Sequence, residues 1–231
     1  MLDGFEAEGV RPAQQQRSRK LIIDLFNEAL VLLNDVDFDG LSIDSLCVRA
    51  SSTVGAFYSR FENKEAFVGA LQRMVVIATR QGIDAAYAAN RAPSESLESL
   101  INWITKGAVA WFRRYEGIIR ASLRRANDEA DTWIPMREVG TAQISHAVPR
   151  ILSLLHPDTA AHGAEDRIRF AFQMLFGTLN NMILLNPGPF GIHQAETPQM
   201  LASAMIHFIQ SVPTAAPECA SRRPELTVIG K

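Results

Sequence analysis

From Leu21 onward, apolar residues recur at three- and four-residue intervals: Leu21, Ile22, Leu25, Phe26, Ala29, Leu30 and Leu33. That spacing lines one face of an α-helix and predicts a helix from near Arg17. Asn34-Asp35 and Asp37 to Gly40 end it in a turn. Ser42 then stands as an N-cap, with Ser45 at N3 too short to complete a capping box. The second helix is brief and turns Ile43, Leu46, Cys47 and Ala50 inward. Ser51-Ser52-Thr53 breaks the pattern. A third short helix follows from Val54 to about Phe61, with Thr53 as its cap and with Phe57 and Phe61 facing the core. Asn63 caps a longer helix that starts at Lys64 and runs towards Asn90. Two short helices joined by a tight turn, held by a longer first helix, make a helix-turn-helix unit.

Pro93 and Ser94 mark a boundary, and Glu95 and Glu98 suit the positive end of the helix that follows. Helical patterns continue at about 94–114, 116–127, 132–155, 165–186 and 197–211. Pro149 falls inside the third of these and should kink it or end it early. Asn186-Pro187-Gly188-Pro189 is a break, and beyond Pro213 the sequence turns to proline, alanine, serine and charge. No internal repeat and no sustained two-residue alternation compete. The predicted class is all-α.

Charge changes the picture by narrowing it. The net charge is −2, so the whole molecule offers no positive field, and any binding to nucleic acid must rest on a local patch. Residues 17–64 hold six basic residues (Arg17, Arg19, Lys20, Arg49, Arg60, Lys64) and seven acidic ones (Asp24, Glu28, Asp35, Asp37, Asp39, Asp44, Glu62). The acidic side chains of the first helix should therefore point away from DNA. The two cysteines, Cys47 and Cys219, form no metal-ligand pattern and no expected disulfide, which suits a reducing compartment. The N-terminal stretch carries Asp3, Glu6 and Glu8 and lacks the apolar run of a signal peptide. The most apolar segment, Phe170 to Leu185, is interrupted by Gln173, Asn180 and Asn181 and reads as a buried helix. The expected location is the cytoplasm. A Gly-rich phosphate loop, a G-x-S-x-G elbow, an H-E-x-x-H pair and a Cys/His cluster are all absent from the sequence, so no catalysis, cofactor or metal is expected.

The chemistry concentrates in Leu41 to Phe67, LSIDSLCVRASSTVGAFYSRFENKEAF. Thr53 leaves backbone N–H groups at the start of the third helix that can hold a phosphate. With Phe57 and Phe61 turned inward, that helix presents Val54, Gly55, Ala56, Tyr58, Ser59 and Arg60. Gly55 and Ala56 are small enough to let the backbone approach a groove floor, and Tyr58, Arg60 and Lys64 can reach flanking phosphates. This segment resembles the TetR family of transcription regulators. The resemblance rests on Ser42-Ile43, Ala50, Thr53, Gly55, Phe57-Tyr58, Phe61 and Asn63-Lys64-Glu65, all in the family's spacing, and covers about residues 17 to 70. It implies DNA contacts from Ser42, Ser52, Thr53, Val54, Gly55, Ala56, Tyr58, Ser59, Arg60 and Lys64. It also implies a near-palindromic double-stranded operator, a homodimer and a repressor released by a small apolar effector. The implied organisation is a tail at 1–16, the helix-turn-helix domain at 17–64, a connecting helix at 65–92, a ligand-binding and dimerisation domain at 93–211 and a second tail at 212–231. One departure matters: the turn reads Ser51-Ser52 where the family has Gly-Val. Ser51 must then adopt a backbone conformation that glycine adopts easily, and Ser52 removes an apolar contact between the two helices.

In the second domain Trp103, Gly107 and Trp111 recur every four residues on one helix face. Core packing explains them. Equally, Gly107 can leave a gap walled by two indoles, as an apolar ligand requires, with Asn180 as a polar contact. His146 reads as structural or surface. The helix at 165–186 and the stripe Met200, Leu201, Ala204, Met205, Phe208 and Ile209 carry more apolar surface than one domain side needs. In the family such a pair forms a four-helix bundle with a second chain, which nominates Phe172, Phe176, Leu201, Met205 and Phe208 for the seam. A helical protein–protein adaptor that keeps the three-helix unit as a scaffold is the competing function.

Overall fold

The computed structural model describes Gly9 and residues 16–125, 134–160 and 163–211, with side chains from residue 19 onward in the first helix. Ten helices occur among these residues, and no strand: α1 (Gln16–Asp35), α2 (Ile43–Arg49), α3 (Val54–Tyr58), α4 (Lys64–Ala88), α5 (Leu97–Arg114), α6 (Glu116–Arg125), α7 (Ile134–Leu154), α8 (Pro157–Ala160), α9 (Ala164–Leu184) and α10 (Thr197–Gln210). The all-α expectation holds. The single turn α8 was not foreseen; four residues carry too little periodicity to signal a helix. The tails expected at 1–16 and 212–231 lie outside the described residues, except for Gly9 and for Gln16, which opens α1. The Gly9 carbonyl accepts a hydrogen bond from the Glu62 N–H at 2.9 Å.

The first three helices close over a cluster of aromatic rings. Phe26 of α1, Phe57 of α3, Phe61 between α3 and α4, and Phe67 of α4 are all buried, with ring centroids 4.9–6.1 Å apart and planes tilted or perpendicular. Such geometry sets the positive ring edges against the negative faces and adds about 0.5–1.5 kcal/mol per pair beyond area burial. Helix α4 begins in this cluster with Phe67, Ala70 and Leu71 and continues with Val75, Val76 and Tyr87 into the second part of the molecule. There α7 packs on α4 and α9, α10 packs on α5 and α9, and α6 returns to lie against α1. One continuous apolar core runs from Ile22 to Ile209.

Pro149 does not end α7, which continues to Leu154. Pro149 and Ser145 are both exposed, so the Ser145 carbonyl that loses its helical partner faces water. Among the described residues no helix is long and apolar enough to cross a membrane.

Candidate nucleic-acid interface

Helices α2, α3 and α4 each start on a side-chain cap. Ser42 Oγ accepts from Ser45 N–H at 3.3 Å, Thr53 Oγ1 from Ala56 N–H at 3.1 Å and Asn63 Oδ1 from Ala66 N–H at 2.7 Å. Such caps satisfy N–H groups that a helix cannot satisfy itself. The five-residue α3 depends on its cap heavily, because it closes hardly more than one turn.

The turn between α2 and α3 is a Schellman motif. Ser52 N–H donates to Cys47 O at 2.8 Å, Ser51 N–H donates to Val48 O at 3.1 Å, and Ser51 sits at φ +50°. Glycine takes this left-handed conformation freely, whereas a Cβ crowds the following carbonyl and costs roughly 1–2 kcal/mol. The strain expected at Ser51 is therefore present. Ser52 adds a second penalty: its Oγ is buried and has no hydrogen-bond partner among the described residues. Beside it, Cys47 is buried, and desolvation followed by the nearby Asp44 carboxylate pushes its thiol pKa up.

Of the ten residues expected at DNA, Ser42, Thr53, Gly55, Tyr58 and Ser59 are exposed, while Ser52, Val54, Ala56, Arg60 and Lys64 are half-buried. Of the five α3 residues only Phe57 is fully buried; Gly55 and Tyr58, with Thr53 and Ser59 beside the helix, are exposed. Tyr58 is 48% exposed and packs edge-on against Phe57 at 5.2 Å, which fixes its phenol beside the helix. The Ser59 hydroxyl donates to Ala56 O at 2.7 Å, so towards a ligand it is oriented as an acceptor. Lys64 donates to Asp39 O at 3.3 Å and lies 4.6 Å above the Phe38 ring. Two other cations are held by acids of α1: Lys20 by Asp24 at 2.6 Å and Arg49 by Glu28 at 2.8 Å. The second pair ties α2 to α1. The acidic residues of α1 thus serve to position basic ones, a use their spacing alone did not reveal.

In the second part, Trp103 meets Tyr87 edge-to-face at 5.6 Å, and Trp111 Nε1 donates to Thr79 Oγ1 at 2.8 Å. Trp103 and Trp111 are eight residues apart on α5, as Thr79 and Tyr87 are on α4, so two aromatic bridges join antiparallel helices. Gly107 lies midway between the indoles and is exposed; a Cβ there would meet no heavy atom within 4 Å. Asn180 stands apart on α9, with its Oδ1 buried and unpartnered among the described residues. Tyr87 is the centre of a polar knot. Gln143 donates to its hydroxyl at 2.7 Å, His146 stacks on its ring at 4.7 Å, and burial pushes its phenol up to about 12, against the lowering effects of Gln143 and Arg150. His146 also meets Asp84 at 2.8 Å. It joins α7 to α4, as a structural histidine would.

The residues nominated for a subunit seam divide. Phe172 and Met205 turn into the chain's own core, leaving no surface for a partner: on helices apolar nearly all round, periodicity alone does not say which face is inner. Phe176, Leu201 and Phe208 are half-buried. The outward apolar surface is carried by Phe170 at 47% exposure, Leu185 at 77% and Met200 at 54%, with Phe170 and Phe208 in ring contact at 5.7 Å. Phe170 and Met200 sit at the edges of the stripes from which the seam was read.

No family model matches the chain, and no curated protein matches it. Among solved structures, one from Mesorhizobium loti that is assigned to the TetR family of transcriptional regulators superposes with a TM-score of 0.63 at 13% identity, over 84% of this chain and 98% of that one. The chain has the TetR-like fold.

Proposed function

We propose that this chain is a cytoplasmic transcription regulator that binds double-stranded DNA as a two-fold homodimer, acting as a repressor released by a small apolar effector. The observation that carries the reading is the α2–α3 unit. Its recognition helix is capped, closed from behind by Phe57 and open towards solvent at Gly55, Tyr58 and Ser59. Small residues on that face allow close approach to a major groove, and the neighbouring start of α4 can hold a phosphate. Selection of bound duplexes from a random pool tests the reading, and the full-length protein should enrich a near-palindromic site. Tyr58→Phe and Lys64→Ala should then weaken binding to every enriched sequence alike, whereas changes at Val54, Ala56 or Ser59 should alter the preferred base. A pool that stays random would overturn it.

The effector half of the proposal rests on the α5 face. A molecule bound between Trp103 and Trp111 would touch α4 at Thr79 and Tyr87, and α4 leads directly from the recognition helix. Gly107→Leu adds a side chain between the indoles at a position where a Cβ meets no heavy atom within 4 Å, and should block the ligand while sparing DNA binding. Reciprocity requires operator DNA to weaken effector binding by the same factor, typically about 5–150-fold. The adaptor reading draws support from the Lys20–Asp24 and Arg49–Glu28 pairs, which offset positive charge near the DNA-facing surface. The duplex selection decides between the two.

A further inference from the structure

The corner between α5 and α6 touches both ends of the molecule. On one side it closes the end of α1. The Arg120 guanidinium donates to Leu33 O at 2.9 Å and Asn34 O at 3.0 Å, and the Gly117 N–H donates to Asn34 Oδ1 at 3.2 Å. The last carbonyls of a helix lack partners within it, and a planar guanidinium can serve two at once. Gly117 is there because the backbones nearly touch: a Cβ would overlap the Leu33 carbonyl. Further along α6, Arg124 reaches Asp37 at 3.4 Å and Arg125 lies 4.4 Å above the Phe38 ring, opening the way to the loop before α2.

On the other side the same corner holds the loop between α9 and α10. Arg113 donates to Ile192 O at 2.7 Å and to Gln194 O at 2.9 Å, and His193 Nε2 lies 2.7 Å from Glu116 Oε2. Glu116 uses its other oxygen for Arg120, at 3.3 Å. One carboxylate is therefore shared between the loop's imidazole and the arginine that closes α1. Glu116 and Arg120 are only 24% and 18% exposed, so solvent screens their interaction weakly.

We propose that Glu116 and Arg120 form a bracket that positions the helix-turn-helix from the α9–α10 end of the chain, by a route separate from α4. A shift of the His193 loop withdraws the imidazole from Glu116 Oε2. That in turn changes how firmly Arg120 holds the end of α1, on which α2 and α3 are seated. The α9–α10 pair is also where a second copy would dock, so this route lets dimer seating act on the DNA-reading unit without passing through the effector slot.

Hydrogen exchange of the full chain, without DNA or ligand, tests the bracket directly. His193→Ala, a change on an exposed loop 77 residues from Glu116, should speed exchange at the Val36 and Leu41 amides by about 2–30-fold, the size expected of coupling through a contiguous network. His193→Lys places an N–H donor beside Glu116 and, relative to His193→Ala, should restore protection. Glu116→Gln should reproduce the His193→Ala signature. If it fails to fold, the histidine pair still decides the matter. Removing the exposed Glu165 partner by Arg169→Ala should leave α1 unchanged. Faster exchange confined to 186–197, or no change anywhere in His193→Ala, would overturn the proposal.

Discussion

The two ends of this molecule are finished differently. At the helix-turn-helix end, α2, α3 and α4 each start on a side-chain cap, and four phenylalanines close the core within a single chain. At the other end, α9 and α10 start without a side-chain cap hydrogen bond, and Phe170, Leu185 and Met200 stand out in water. The first region closes its aromatic core within itself, although Ser52 Oγ stays buried without a partner among the described residues and Val48 is exposed. The second carries the Phe170–Phe208 ring contact at its surface, which the homodimer proposed above would cover. On that proposal stability and assembly are written into separate stretches of this chain, so mutations should separate them too.

The largest effect should come from the aromatic cluster. Phe57→Ala removes a fully buried ring and should lower the unfolding free energy by about 3–5 kcal/mol in denaturant titration. A loss under about 1 kcal/mol would show that the cluster is not the nucleus of the N-terminal unit. Next comes the strained turn, where the sign reverses. Ser51→Gly should raise stability by roughly 1–2 kcal/mol by relieving the positive φ. Unchanged stability would mean that the turn relaxes by another route. The cap of α3 is a step smaller: Thr53→Ala should lose about 1 kcal/mol, and Thr53→Ser should lose less. The smallest effect on folding belongs to the other end. Phe170→Glu should leave the stability of the dissociated chain within about 0.5 kcal/mol, yet sedimentation should shift to the monomer. A large fall in chain stability would erase the distinction between the two ends.

Much of the N-terminal unit was legible because its signals are local. Caps at Ser42, Thr53 and Asn63 lie next to the helices they start, and the Phe57/Phe61 spacing states which side of α3 is inner. The positive φ of Ser51 followed from a serine standing where the backbone needs glycine. The second half was less legible because its information is in pairs distant along the chain. Tryptophans eight residues apart on α5 could not reveal that Thr79 and Tyr87 match them on α4. An apolar stripe broad enough to run nearly round α9 could not tell Phe172, inside, from Phe170, outside. Glu116, Arg120 and His193 carry no sequence signal of their contact, since nothing local links the loop to the other two. The one hint was a glycine, Gly117, immediately after a helix start where a better helix former would serve, and its reason lies in the backbone of α1.

Cys47 carries a practical consequence. Its thiol is buried within the helix-turn-helix, and desolvation keeps it protonated and unreactive in the closed state. A labelling reagent can therefore reach it only when α2 lifts away. With Cys219→Ser it becomes the single thiol of the chain. Its modification rate, divided by that of a free thiol, then measures how often this domain opens under native conditions. The protein carries its own clock for the breathing of its helix-turn-helix, one that runs without any bound partner.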